Sequence, residues 1–294
     1  MTISVIIPAY NSGATIARAL ESVRSQSRPA DEIIAVDDGS TDNTREIIKD
    51  FPEVRYIHQD NQGPAAARNN GVRTAKGEFI AFLDSDDYWL ADHLKNLASV
   101  LEGNPDIHWA ATAYRKRLLD GKEKVVRLHR RHYSYGNVVD YFSATPKLHF
   151  LSVISTAVRR DLFIDAGGFA ERYSRGEDLS LWLRLALASP FLGYSPEPTA
   201  VYVETPQSLT GRRGNLSALA KRITDDWAGV CRHSPEAMVR AWPVVKPWVS
   251  GLLKKSIRAR DRETTEMIAG VFGGRLNLWQ KTAIRICRRT TGRR

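Results

Sequence analysis

Three acidic clusters carry the residues best suited to chemistry in this chain. Asp37-Asp38 closes an apolar run over residues 32–36, and Asp84-Ser85-Asp86-Asp87 closes a second over 78–83. Glu177-Asp178 opens a stretch in which Leu179, Leu181, Trp182, Leu185 and Leu187 recur at helical spacing. Carboxylates are hard oxygen ligands that suit a divalent cation, and a cation so held can in turn hold phosphates. If Asp84 and Asp86 alternate at a strand end, both project to one side and can face one ion. A carboxylate with an ordinary pKa of about 4 is ionised at neutral pH, so Glu177 or Asp178 can take a proton from an attacking hydroxyl once positioned. Each cluster also has a plain reading. Asp37-Asp38-Gly39-Ser40 makes an acidic turn with a helix cap, Asp84–Asp86 a solvated turn, and Glu177-Asp178 a first helical turn favoured by the macrodipole.

The elements that must position these groups follow from periodicity. Residues 3–7 read as a buried strand and 14–26 as a helix with Ile16, Ala19, Leu20 and Val23 on one face. Strands are expected over 32–36, 54–58 and 78–83. Helices are expected over 43–49, capped by Thr41 or Asp42, over 64–74, and over 92–101. This alternation predicts an α/β fold with a mostly parallel sheet, and carboxylates at strand ends lie where open α/β sheets bind ligands. Beyond residue 106 the pattern changes. A hairpin is expected over 109–116 and 124–128 around Asp120-Gly121, a strand over 153–158, a turn at Gly167-Gly168-Phe169, and two short strands within 191–203. Residues 205–214 read as a linker, and the sequence after it as mostly helical.

With 294 residues, 43% hydrophobic and 26% charged, the chain can bury a substantial core. Cys231 and Cys287 are far apart, which points away from a zinc site or disulfide framework and toward a reducing compartment. No basic-apolar leader and no spanning apolar run are visible, so a cytoplasmic protein is expected. Residues 1–210 carry 24 Lys/Arg and 27 Asp/Glu, net −3, whereas 211–294 carry 19 and 6, net +13. That asymmetry predicts an anionic partner for the tail.

After the first strand stands Pro8-Ala9-Tyr10-Asn11, with neither a dinucleotide fingerprint nor a phosphate loop, which lowers the case for nicotinamide or ATP chemistry. Tyr10 there can stack on a base or contact a ribose, or the segment is simply a turn. Taken together, Val5-Ile6-Ile7-Pro8-Ala9-Tyr10-Asn11, Val36-Asp37-Asp38-Gly39-Ser40-Thr41-Asp42, Gly63-Pro64-Ala65-Ala66-Ala67-Arg68-Asn69, Phe82-Leu83-Asp84-Ser85-Asp86-Asp87, Gly167-Gly168-Phe169 and Glu177-Asp178-Leu179-Ser180-Leu181-Trp182 resemble the inverting family 2 glycosyltransferases. The resemblance covers about 200 residues. It implies the GT-A fold, a Rossmann-like sheet with flanking helices, over 1–210, with 1–105 binding nucleotide and 106–210 binding acceptor, plus a helical extension over 211–294.

The same resemblance implies roles. Pro8, Tyr10, Asn11, Asp38, Arg68, Asp84 and Ser85 would contact the nucleotide, Asp38 suiting a uracil. Asp86 with Asp84 would hold Mn2+ or Mg2+, and Asp178, beside Glu177, would be the base. The implied reaction moves a sugar from a nucleotide-sugar, a UDP-sugar above all, to a glycan or lipid-linked acceptor in cell-surface polysaccharide synthesis. The rivals are a sugar nucleotidyltransferase, which should show a Gly-rich loop after the first strand, and a catalytically silent binder of nucleotide-sugar or membrane. The Gln-x-x-Arg-Trp motif of processive members does not follow the base here, which implies single additions.

In the tail, Leu276, Trp279, Ala283, Ile286 and Cys287 share one helical face, and Lys281, Arg285, Arg288 and Arg289 the other. Such a helix suits an anionic membrane surface, making the protein peripheral at the inner face, or it packs on the catalytic domain with a solvated basic face. No nucleic-acid-binding module accompanies the charge.

Overall fold

The computed structural model describes residues 1–133, 137–144, 150–173, 176–205 and 215–284, apart from 279, 283 and the Arg131 side chain. Contacts divide the chain into two compact units, Met1–Gly211 and Arg212–Arg294.

The first unit is built on one ten-stranded sheet. β1 (Ile3–Ala9) is buried at every residue, as a strand covered on both faces must be. It pairs in parallel with β2 (Glu32–Asp37) on one side and β4 (Phe79–Phe82) on the other, and β2 pairs in parallel with β3 (Val54–His58). The sheet continues through β9 (Thr156–Arg159), β6 (Trp109–Arg117), β10 (Phe191–Val203) and β5 (Tyr88–Trp89), giving the order β3-β2-β1-β4-β9-β6-β10-β5. β7 (Glu123–Val126) pairs with β6, and β8 (Val138–Asp140) with β10. The first four strands are thus parallel and the remainder mixed.

Helices cover both faces. α1 (Ile16–Arg24) buries Ile16, Ala19, Leu20 and Val23 against Ile3, Val5 and Ile7, together with α4 (His93–Glu102). On the opposite face α3 (Pro64–Thr74) starts at Pro64, whose missing N–H is harmless in a first turn. It lies so close to β1 that a Cβ on Gly71 would come 2.5 Å from Ile6 Cγ2. α6 (Arg160–Asp165) and α7 (Glu177–Ala188) complete that layer, where Phe82 meets Phe169 edge-on at 5.3 Å and Trp109 stacks on Trp182 at 6.1 Å.

Two strand expectations are corrected. Residues 191–203 form one strand rather than two. Register shifts around Pro198 absorb the prolines that read as a break, as bulges do. The strand expected over 153–158 starts only at Thr156, after a 3-10 turn over Val153–Ser155. Of the two residues expected to accept amide protons at the start of α2 (Thr44–Lys49), Asp42 does so, from the Thr44 amide at 3.0 Å.

The second unit contains α8 (Leu216–His233), α9 (Pro235–Ala259) and α10 (Arg262–Phe272). Asn215, Ser234 and Asp261 cap their N-termini by accepting free amide protons. Trp227, Trp242 and Phe272 form its aromatic centre, and the Arg275 guanidinium lies 4.9 Å from the Trp227 ring. Leu276 and Ile284 are buried and Lys281 exposed. Trp279, Ala283 and the residues after 284, on which the amphipathic-helix expectation chiefly rests, lie outside the described residues, as do 206–214 of the expected linker.

Candidate active site

The strand order reverses direction between β1 and β4, and such a switch point opens a crevice at the carboxyl ends of the strands. Residues 10–13 follow β1 there and residues 84–87 follow β4. The Ser12 and Ser85 hydroxyls lie 2.7 Å apart and tie the two loops together. Asn11 holds a left-handed backbone (φ 47°), which asparagine tolerates better than most residues. Its Oδ1 accepts from the Thr41 amide at 2.8 Å, and Ser40 Oγ accepts from the Asn11 amide at 2.9 Å. With Ser12 N donating to Thr44 Oγ1 at 2.7 Å, the loops after β1 and β2 form one stitched surface. Tyr10 stands 51% exposed on it, while Pro8 is buried within β1.

The two adjacent aspartates diverge. Asp37 accepts from Tyr56 Oη at 2.7 Å and the Ser40 amide at 2.9 Å. Burial would raise its pKa, but these hydrogen bonds more than offset it and hold the carboxyl below the usual range. The Tyr56 hydroxyl is pushed up to about 12 by burial and by Asp37. Asp38, 3% exposed, accepts from Gln59 Nε2, Gln62 N and Gly63 N at 2.8–2.9 Å and thereby shapes the 59–63 loop. A carboxylate offers about four acceptor positions, so about one remains for a ligand donor.

β4 ends at Phe82, so Asp84 and Asp86 sit in a turn and do not alternate along a strand as expected. The turn separates their partners. Asp84 Oδ1 accepts from Arg68 Nη2 at 2.5 Å, whereas the Asp86 carbonyl accepts from Arg18 Nη2 at 2.5 Å. Asp87 is buried and accepts from the Val203 amide at 2.7 Å, anchoring the turn to β10. Burial, and then the negative neighbours Asp86 and Asp84, raise the Asp87 carboxyl well above its ordinary range.

Arg68 joins this loop to the third acidic cluster. It is 5% exposed on α3, and its Nη1 lies 3.5 Å from Glu177 Oε1 at the start of α7. Its guanidinium also lies 5.2 Å from the Phe169 ring centroid, and Nε and Nη1 are buried without a hydrogen-bond partner. Asn69 fixes Phe169 in turn, accepting from its amide at 2.9 Å and donating to its carbonyl at 2.8 Å. Glu177 is raised by burial and by Asp178, with Arg68 opposing. The Tyr114 hydroxyl on β6 is pushed up to about 12 by burial, then Tyr202 and the Asp178 charge.

Asp84 and Glu177 therefore meet at Arg68, whose charge also acts on Asp86 and Asp178, whereas the Asp38 carboxylate is held by the 59–63 loop. Sequence reasoning missed Ser12, Arg18 and Tyr114, which carry no local signal, since a serine in a turn or a tyrosine in a strand is unremarkable until its neighbour is known.

Among the described residues no three His, Cys, Asp or Glu side chains form a ready-made metal cage. The donor set nevertheless fits a cation shared with a ligand. Magnesium-like ions commonly take one or two carboxylates and complete their shell from substrate phosphates. Asp86 is pushed up to about 6 by burial and by Asp84, a repulsion that a positive ion beside it would relieve.

A strand-ordered α/β sheet with acidic loops at its switch point is the architecture of GT-A glycosyltransferases. The chain belongs to Glycosyl transferase family 2, whose profile matches residues 4–167. An uncharacterized glycosyltransferase of Rickettsia felis is 35% identical over 204 residues, 68% of this chain but 33% of that protein, so the chain matches about a third of that relative's length. The Escherichia coli enzyme WfaP, named UDP-Glc:alpha-D-GlcNAc-diphosphoundecaprenol beta-1,3-glucosyltransferase, is 33% identical over 193 residues, 62% of this chain and 69% of its own. Among solved structures, S. aureus TarS 1–349 in complex with UDP-GlcNAc superposes with a TM-score of 0.71 at 19% identity, over 98% of this chain and 79% of that one. The mannosyltransferase PcManGT of Pyrobaculum calidifontis, in complex with GDP-Man and Mn2+, gives 0.55 at 20% identity, over 97% and 84%.

Proposed function

We propose that this chain is an inverting, metal-dependent glycosyltransferase that moves a sugar from a UDP-sugar to a lipid-linked or glycan acceptor in cell-surface polysaccharide synthesis. The observation that carries the reading is Arg68, which draws the Asp84–Asp86 turn and the Glu177-Asp178 helix start to one place. Donor contacts and base must share a cleft in a single displacement. The UDP-GlcNAc and GDP-Man of the two structural relatives support a nucleotide-sugar donor, and WfaP's name supports a diphospholipid-linked acceptor.

In this mechanism Tyr10 and Asp38 hold the base, with Pro8 and Asn11 shaping the loop beneath it. Asp84 and Ser85 lie toward the ribose, and Arg68 acts on the nucleotide through the carboxylates it holds. Asp178 takes the proton of the acceptor hydroxyl as its oxygen attacks the anomeric carbon. The bond to the diphosphate breaks on the opposite face, its electron pair leaving on the phosphate oxygen, and the configuration inverts. Asp86, with Asp84, would hold Mn2+ or Mg2+, which supplies Lewis-acid stabilisation of the departing diphosphate. Residues 1–210 form the catalytic domain, and 211–294 a basic extension that meets an anionic membrane surface. Among the described residues no helix is long and apolar enough to cross a membrane.

The test is a panel of nucleotide-sugars screened for thermal stabilisation with and without Mn2+, since a ligand that binds only the native state raises its melting temperature. UDP-sugars are expected to stabilise with Mn2+ and to lose most of that effect in EDTA. Stabilisation by no nucleotide-sugar would overturn the reading.

A further inference from the structure

The charge of the first unit is unevenly placed. Residues 1–210 are net negative, yet 115–127 hold six basic residues against two acidic ones. This segment is the β6–β7 hairpin. β6 passes Tyr114, which senses the Asp178 charge, and continues directly into Arg115, Lys116 and Arg117. At about 3.3 Å per residue their Cα atoms lie within about 10 Å of that of Tyr114.

On the hairpin two guanidiniums share a single counter-charge. Glu123 pairs with both Arg115, at 3.4 Å, and Arg117, at 2.8 Å. Arg117 also lies 5.5 Å from the centroid of the Tyr88 ring. Arg18 lies over the same ring at 5.1 Å while donating to the Asp86 carbonyl. Two guanidiniums, those of Arg18 and Arg117, therefore flank the Tyr88 ring next to the acidic turn, and Arg117 shares Glu123 with Arg115. The side chains of Arg115 and Arg117 are 40% and 41% exposed, and Arg18 is exposed, so N–H groups remain open to a ligand. Lys116 differs, since Glu204 sits 3.1 Å from its Nζ. Stacking on an aromatic face orients a guanidinium, whose planar fork matches phosphate oxygens two at a time.

We propose that Arg18 and Arg117, which flank Tyr88, together with Arg115, which shares Glu123 with Arg117, bind the diphosphate of the acceptor. The inference rests on the glycosyltransferase reading above and names what that reading leaves open, the feature by which the acceptor is recognised. The donor diphosphate belongs to the crevice between β1 and β4. Arg115 and Arg117 belong to β6, the strand that also carries Tyr114, and Arg18 reaches them from α1 at the edge of that crevice, where it holds the Asp86 carbonyl. An anion there is attached to the molecule whose hydroxyl the base deprotonates.

The test is calorimetric titration of the full chain, held saturated with UDP and Mn2+, with decyl diphosphate, decyl sulfate and phosphatidylglycerol vesicles. Decyl diphosphate is expected to bind more tightly than decyl sulfate. Its affinity should fall about 10- to 100-fold in the Arg18→Gln/Arg117→Gln double variant, the range for losing charged hydrogen bonds. Lys124→Gln, on the exposed strand β7, should bind as the wild type does, and vesicle binding should be equal in all three proteins. Arg117→Lys keeps the charge without the fork and should recover only part of the affinity. Equal decyl diphosphate affinity in the double variant and the wild type overturns the proposal, as does a loss of affinity for vesicles equal to that for decyl diphosphate. Failure of UDP to stabilise the wild-type chain would instead count against the nucleotide-sugar reading, and is measured separately before the titration.

Discussion

Arg68 Nη1 lies 3.5 Å from Glu177 Oε1, although the two residues are far apart in the chain. The same guanidinium holds Asp84, so its removal leaves two partly buried carboxylates facing each other without a counter-ion. Breaking a buried pair from one side costs about 3–5 kcal/mol, and Arg68→Met should lose stability on that order. Arg68→Lys, which keeps the charge and loses the fork, should lose less. Urea unfolding at neutral pH reports both. A methionine variant as stable as the wild type would show that the bridge does not contribute.

Asp178→Asn removes the proton acceptor and keeps the shape. Its kcat should fall by about 100- to 10,000-fold, the usual weight of a general base, while UDP binds with little change. Rate and UDP affinity measured on the same preparation separate the two effects. Normal turnover in this variant would move the base elsewhere.

Gly168 has φ +61°, and a Cβ there would come 2.7 Å from Asn69 Oδ1. Gly168→Ala therefore meets both backbone strain and a collision with the side chain that fixes Phe169. A loss of about 1–3 kcal/mol is expected from the strained backbone alone. Thermal unfolding of Gly168→Ala beside Gly121→Ala, whose added Cβ meets open space at a similar φ, separates collision from strain.

His93 is wholly buried against Trp89, with Nδ1 3.0 Å from Thr199 Oγ1, and burial lowers its pKa to about 3. The ordinary value, which the unfolded chain keeps, is about 6.5. Between these values the unfolded state binds the proton and the folded state does not. This contribution to stability is therefore fully present above about pH 6.5 and is lost as pH falls toward 3, at up to about 1.4 kcal/mol per pH unit. Melting temperatures at pH 7 and pH 5 should fall further in the wild type than in His93→Phe, which cannot titrate. Equal slopes would count against this linkage.

Much of the fold was legible because its signals are local. The continuous apolar runs at β1, β2 and β4 could only be buried strands, and Ile16, Ala19, Leu20 and Val23 could only face a core from a helix. Residues 191–203 misled because two prolines normally end a strand, and only pairing with β6 reveals that bulges accommodate them. Asp84 and Asp86 misled for a related reason. Their alternation presumes a strand, and β4 stops at Phe82 where its pairing with β1 stops.

The amino-acid sequence alone determined which carboxylates stand at the ends of buried strands and at a helix start, since burial pattern and capping depend on residues within a turn or two of each other. Only the tertiary structure decided what those carboxylates meet. Arg68 between Asp84 and Glu177, the Asp38 carboxylate committed to the 59–63 loop, and the arginines around Tyr88 all depend on distances between elements. Coulombic and hydrogen-bond energies vary with those separations over a few ångströms, and the packing of sheet and helices, not spacing along the chain, sets them.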